Sequence, residues 1–250
     1  MASQTSQEST QHVFLSIVSH ELKTPITSIQ GFTQAMQRKI DQKIAIYEPN
    51  PLFTEAELRK HQEHLEMVMR QIKRLTRLID DLLDVSVIES GRLGFDWTTI
   101  DLASLLSDLS VRMQLFSADH TIQIQPNETG AYQVIADESR LEKLFSNLLV
   151  NAIKYSPQGS TITVNLIEEA DFYLVSVKDE GVGIPLDDQQ HVFDLYYRGK
   201  EIDRKKYSGL GLGLYLSKQI VDLHRGKIYF ESVPGHGSTF YVELPKVQEG

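Results

Sequence analysis

The sequence predicts a chain of class α + α/β: a helical-hairpin dimerisation domain forming a dimeric four-helix bundle, followed by an α/β sandwich. Three observations carry this. Up to Gly91 the only helix breakers are Pro25, Gly31 and the Pro49-Asn50-Pro51 cluster. The apolar residues of that stretch recur at helical and heptad spacing. Beyond Gly91, short alternating runs bounded by glycine turns are interleaved with amphipathic segments, the pattern of a sheet covered by helices. The expected domains are residues 10–91 and 92–247.

Composition limits the function classes. The 250 residues include 25 Lys and Arg against 34 Asp and Glu, a formal net charge of −9, and 41% are hydrophobic. An acidic chain argues against a nucleic-acid-binding domain. With no cysteine, disulfide frameworks, thiolate catalysis and Cys-ligated zinc are excluded. No apolar window approaches the length of a membrane span, and the polar start, Met1 to Thr10, lacks the apolar core of a signal peptide.

Leu15, Val18, Leu22, Ile26, Ile29, Phe32 and Met36 share one side of a helix expected from Thr10 to about Tyr47, bent locally at Pro25. Pro-Asn-Pro makes the turn. Thr54-Glu-Ala-Glu57 then reads as a capping box, with Phe53 and Leu58 placed for a hydrophobic staple. In the second helix Leu58, Leu65, Ile72 and Ile79 hold one heptad position and Val68, Leu75 and Leu82 the other. That stripe is wider than one hairpin contact, so a second copy is expected to cover it; packing on the C-terminal domain of the same chain is the alternative. His61 falls on a seam position and reads as a partly exposed, tolerated polar site near the bundle end; metal ligation by His61 and His64, at i and i+3, is the other reading.

Phe95 to Ile100 alternates as a strand, and Asp101 caps a helix to about Phe116. Thr121 to Gln125 and Tyr132 to Ala136 are expected to pair around an Asn-Glu-Thr-Gly turn. Asp137 caps a helix to Tyr155, ended by Pro157 and Gly159. Strands are expected at Thr161 to Ile167, Tyr173 to Lys178, Lys227 to Ser232 and Thr239 to Leu244, and a helix at Leu210 to Leu223.

Six segments carry chemistry. In Ser19-His20-Glu21-Leu22-Lys23-Thr24-Pro25, His20 and Thr24 lie opposite the apolar stripe. A lone surface histidine need have no role, but Glu21 can hold the proton of one ring nitrogen and leave the other nucleophilic. Asn147, Asn151 and Lys154 share a helix face suited to Mg²⁺ and phosphate oxygens, and Tyr155 ends that helix; buried amides serving the backbone are the alternative. Asp179 follows a strand and can accept from an exocyclic amine, while Gly181 and Gly183 admit a ring close to the backbone. Phe193 to Arg198 ends in a cation within reach of a terminal phosphate. Gly209-Leu210-Gly211-Leu212-Gly213 opens a helix, where free N–H groups favour an anion; its spacing is not the dinucleotide fingerprint. Gly235-His-Gly237-Ser-Thr239-Phe240 is a glycine turn between strands.

Together these segments resemble, over about Val13 to Pro245, the cytoplasmic core of a two-component sensor histidine kinase. His20-Glu-Leu-Lys-Thr-Pro is similar to the family's phosphoacceptor H box, Asn147 to Tyr155 to its N box, and Phe193 to Arg198 to its F box. Asp179 to Gly183, Gly209 to Gly213 and Gly235 to Phe240 resemble its three glycine boxes. Leu195-Tyr196 departs from the usual Pro-Phe, and the loop before Gly209 is basic, with Lys200, Arg204, Lys205 and Lys206. The resemblance implies ATP-dependent phosphorylation of His20, transfer to an aspartate of a response-regulator receiver domain, and a phosphatase role for Thr24. It implies Mg²⁺ on Asn151, the adenine amine on Asp179, and phosphates on Lys154, Arg198 and the Gly209 to Gly213 backbone. Asn147, Tyr155, Gly181, Gly183, Tyr197 and Thr239 complete the expected ATP site. A homodimer is implied, with no nucleic acid, in the cytoplasm, and membrane attachment only through a sensor region not in this chain. Hydrolytic relatives place a glutamate one turn before the metal-binding Asn; Asn147 stands there and cannot accept a proton from water. An inactive scaffold or regulator-binding module is the remaining alternative.

Overall fold

The computed structural model describes residues 2–45, 54–91, 94–126, 132–199 and 209–246; within these, the side chains of 2–17, 19–20, 43–45, 116 and 126 are not described. The chain divides into two compact units, Met1–Leu83 with Ser208–Leu210, and Asp84–Tyr207 with Gly211–Gly250.

The first unit holds helix α1, Ala2–Ala45, which continues through Pro25, and most of helix α2, Glu55–Glu89. The capping box forms as its residue types require. Thr54 N–H donates to Glu57 Oε2 at 2.9 Å, and Glu57 N–H donates to Thr54 Oγ1 at 3.3 Å. Phe53, the staple partner, lies outside the described residues. Only Val68 and Leu78 are buried apolar residues in this part of α2, whereas Leu58, Leu65, Ile72 and Ile79 are 53, 53, 41 and 44% exposed. His64 stacks obliquely on Phe32, ring centroids 5.4 Å apart. Among the described residues no group of three or more metal-ligating side chains gathers, and no helix is long and apolar enough to cross a membrane.

The second unit takes in the last turns of α2. It continues through β1 (Trp97–Asp101), α3 (Leu102–Phe116), β2 (Thr121–Pro126), β3 (Gln133–Asp137) and α4 (Glu138–Tyr155). Then follow β4 (Thr161–Glu168), β5 (Phe172–Lys178), the short α5 (Leu186–Gln189), α6 (Gly213–Leu223), β6 (Lys227–Val233) and β7 (Gly237–Pro245). A five-stranded sheet of order β2-β4-β5-β7-β6 carries one parallel pair, β2 with β4, and a two-stranded sheet joins β1 to β3. Alternation fixes which face is wet. Ile162, Val164 and Leu166 of β4 are buried with Leu141, Leu144 and Phe145 of α4, while Thr163 and Asn165 face away.

Three expectations are corrected. The segments read as a hairpin, β2 and β3, do not pair: β2 runs parallel to β4 and β3 antiparallel to β1. Alternation identifies a strand's buried face but not its neighbour, and here β2 packs beneath α3 while Val134 of β3 lies opposite Ile100 of β1. The turn assigned to Asn127–Gly130 lies outside the described residues. The first strand begins at Trp97 rather than Phe95: the Asp96 N–H donates to the Asp137 carboxylate at 3.0 Å instead of to the β3 backbone. Helix α6 starts at Gly213, not Leu210, since Gly209 and Gly211 have φ of 144° and 73°, which a right-handed helix cannot contain.

Candidate functional site

Helix α4 carries the two carboxamides because Asp137 caps it, accepting the Arg140 N–H at 3.1 Å. Its buried stripe of Leu141, Leu144, Leu148 and Ala152 turns the Asn147, Asn151 and Lys154 positions toward the half-buried side. Asn147 Nδ2 donates to Gly213 O at 3.3 Å, so the start of α6 sits against this face. The Asn151 carboxamide makes no hydrogen bond to any described residue, a half-buried oxygen donor suited to a hard cation. Lys154 Nζ lies 4.9 Å over the Tyr155 ring.

Asp179 leaves the end of β5 with its backbone bonded to Ser238 across the β5–β7 pair, Asp179 N–H to Ser238 O at 2.9 Å. Its Oδ1 accepts Gly181 N–H at 2.8 Å and Ser238 N–H at 3.2 Å, while Oδ2 meets no donor among the described residues. Burial raises its pKa, and the two N–H bonds only partly offset that. A buried carboxylate with one oxygen saturated and one open is an acceptor for a ligand N–H.

The glycines are dictated by close backbone passage. A Cβ on Gly181 would stand 2.7 Å from both Asp179 Oδ1 and Tyr155 O; one on Gly183, whose φ is +67°, would collide with Val233 O. A Cβ on Gly211 would meet Tyr197 O at 2.5 Å, so the second glycine segment lies directly on Tyr196-Tyr197. Gly237 packs on the backbone of Asp179 and Glu180. Through these contacts Phe193 to Arg198, Gly211 to Gly213, the α4 face, Asp179 to Gly183 and the β6–β7 turn form one connected neighbourhood within the second unit. Tyr197 is fixed by donating to Asp188 Oδ1 at 2.6 Å; burial, then that carboxylate, push its phenol up to about 12. Tyr196 adopts φ 65°, a left-handed conformation unusual for an aromatic residue. Arg198 is half-buried beside it, Leu212 caps α6 and is buried, and Thr239 pairs with Lys178 and Glu231 in the sheet. Gly209 and Leu210 group with the first unit, and Lys200 to Lys206 lie outside the described residues.

In the first unit, His20 lies in α1, with its side chain outside the described set, as are those of Val13 and Ile17. Glu21 is 7% exposed and its Oε2 accepts Arg74 Nη2 at 2.7 Å. Thr24 is exposed and, with Lys23, Thr27 and Ser28, lines an open groove of about 390 Å³. Sequence reasoning missed Ser238, Asp188 and Arg74 as supports for Asp179, Tyr197 and Glu21. Ser238 sits inside a segment already singled out, but Arg74 is 53 residues from Glu21 and nothing local marks the pair.

Residues 10–91 match the family model of the His Kinase A (phospho-acceptor) domain, and residues 136–248 that of the Histidine kinase-, DNA gyrase B-, and HSP90-like ATPase. The sensor histidine kinase WalK of Bacillus subtilis (strain 168) is 31% identical over 94% of this chain and 37% of its own length. The sensor histidine kinase RppB of Synechocystis sp. is 34% identical over 94% of this chain and 49% of its own. The chain thus spans between a third and a half of these relatives. Histidine kinase ThkA, solved in complex with response regulator protein TrrA, shares the fold: TM-score 0.65, 21% identity, covering 97% of this chain and 64% of that one.

Proposed function

Because the chain belongs to the two-component sensor histidine kinase family and comprises its cytoplasmic kinase core, we propose that it binds ATP in the second unit, phosphorylates its own His20 and passes the phosphoryl group to a receiver aspartate. The observation that carries this reading is the open Asp179 Oδ2 and open Asn151 carboxamide within one connected neighbourhood of glycine segments. Asp179 accepts the adenine amine, with Gly181 and Gly183 leaving room for the ring. Arg198, Lys154 and the N–H groups at the start of α6 hold phosphate oxygens. Asn151 would supply an oxygen to Mg²⁺, which would neutralise phosphate charge; Asn147, a carboxamide where a hydrolase needs a base, cannot activate water.

In the first transfer a ring nitrogen of His20 forms a bond to the γ-phosphorus while the bond to the bridging oxygen breaks, and ADP leaves with that electron pair. Glu21 holds the proton of the other ring nitrogen, so that positive charge developing on the imidazole is compensated. In the second, a receiver carboxylate oxygen bonds to phosphorus as the P–N bond breaks and the imidazole is restored. That partner is taken from the ThkA–TrrA assembly and the family. The uncovered Leu58, Leu65, Ile72 and Ile79 stripe supports a homodimer.

His20→Gln is expected to abolish acid-labile, alkali-stable labelling from ATP yet retain nucleotide affinity, whereas Asp179→Asn loses the affinity itself. Labelling that persists in His20→Gln would refute the phosphoacceptor, and ATP binding with no labelling of wild type would favour the inactive scaffold. Thr24, which lines one groove with Thr27 and Ser28, would hold a water in line with a receiver phosphate. Thr24→Ala should keep autophosphorylation within a few-fold while slowing regulator dephosphorylation about tenfold to a thousandfold. Equal decay with wild type and variant, measured with ADP present, removes that role.

A further inference from the structure

The Glu21–Arg74 pair is an odd feature for a helical hairpin. Glu21 has a side chain only 9% exposed, Arg74 one 30% exposed, and the two meet at 2.7 Å from opposite helices. Arg74 stands one turn before buried Leu78, on the inward side of α2 rather than among its wet residues. As a stabiliser such a pair does little: desolvating two charges about cancels their attraction, and an apolar pair of similar volume would hold the helices at least as well. Its placement is what distinguishes it, because Glu21 directly follows His20.

We propose that Arg74 is a positioning residue for the autophosphorylation reaction, acting through Glu21. Residues i and i+1 on a helix do not face one another, so Glu21 serves the His20 imidazole only from a restricted set of rotamers. A glutamate loses much rotamer freedom when so restrained, and the Arg74 guanidinium supplies the restraint from the neighbouring helix with a directional, charge-assisted bond. Because the donor comes from α2, any change in the register of α1 against α2 disturbs Glu21 first, before the fold of either helix.

The inference rests on Glu21 acting beside His20, and the test separates the two. In the full chain with saturating Mg-ATP, single-turnover labelling is measured for wild type, Glu21→Gln, Arg74→Gln, Arg74→Lys and the double variant Glu21→Gln/Arg74→Gln. Arg74→Gln should slow labelling about tenfold or more, with KM for ATP unchanged within twofold. Arg74→Lys should recover most of the rate, and the double variant should be no slower than Glu21→Gln alone. Full activity in Glu21→Gln would sink the role of Glu21 itself. A slow Glu21→Gln beside a normal or faster Arg74→Gln would overturn the positioning role, as would losses that multiply in the double variant. Should Arg74→Gln unfold the hairpin, the coupling is read with Arg74→Lys: its partial loss must vanish in the Glu21→Gln background, and persistence there refutes the proposal.

Discussion

The two units differ in how completely each buries its own apolar surface. In the second, sheet and helices enclose a core in which Leu102, Leu141, Leu144, Phe145, Ile162 and Val164 are fully buried. In the first, α2 up to Leu83 buries Val68 and Leu78 but leaves Leu58, Leu65, Met69, Ile72, Ile79 and Leu83 between 41 and 59% exposed. A fully buried Leu or Ile contributes about 1.5 to 3 kcal/mol relative to an exposed one. The hairpin therefore forgoes much of what its sequence could supply, and the ATP-binding unit forgoes little. One region is a finished domain; the other has the surface of half a bundle.

The sharpest way to break this contrast is on the α2 stripe. Leu65→Asp with Ile72→Asp should convert a dimer to a monomer by light scattering at micromolar concentration and cut His20 labelling at least tenfold, while the second unit keeps its nucleotide affinity. A variant that remains dimeric would place the interface elsewhere.

A smaller effect is expected inside the finished core, at His224. This imidazole is fully buried, with Nδ1 bonded to Ile220 O at 2.8 Å and Nε2 accepting Asp137 N–H at 3.1 Å, and it packs edge-on against Phe95 and Trp97. It braces the end of α6 against the start of α4, two helices whose opposite ends carry the candidate site residues. Burial lowers its pKa from 6.5, outweighing the opposing pull of Ile220 O and Asp137. The unfolded chain thus takes up the proton first: the stabilisation is complete above about pH 6.5 and is lost as pH falls from there toward the lowered folded value, by about 1.4 kcal/mol per unit. His224→Gln should cost roughly 1 to 3 kcal/mol at pH 7.5 and flatten the acid slope of the melting temperature between pH 7 and 5. Parallel slopes for wild type and variant would exclude His224 as their source. The Asp84 and Asp137 carboxyls are held below the ordinary 3.8, and that of Asp179 is raised above it. In Asp84 and Asp137 burial pushes upward but is outweighed, by Lys143 and Arg140 at the one and by N–H and hydroxyl donors at the other. Their stabilisation is kept above 3.8 and lost as pH falls through the depressed folded values. Asp179, raised, has the opposite sign.

The smallest expected effect sharpens the comparison from the other side, by improving a unit already nearly complete. Arg225, just past the end of α6, has φ 56°, a conformation that costs a side-chain-bearing residue about 1 kcal/mol. Arg225→Gly should raise stability by roughly 0.5 to 1 kcal/mol in thermal or urea unfolding; a loss would mean that the contacts of the Arg225 side chain outweigh the backbone strain.

What could be read without coordinates was what short-range chemistry dictates. The Thr54–Glu57 box and the Asp101 and Asp137 caps follow from a side-chain oxygen placed before a run of unpaired N–H groups, and each formed where the residue types said it would. The strand faces followed from alternation, and the glycine segments from the need for backbone freedom. Pairings across long separations were decided only by packing: β2 beside β4 rather than β3, Ser238 beneath Asp179, Arg74 on Glu21. A strand's alternation specifies its buried face without naming a partner, and a hydrogen-bond donor can come from anywhere the core brings it. Residue types in sequence thus determined caps, buried faces and glycine turns, while the tertiary structure decided which distant groups hold the candidate site residues in place.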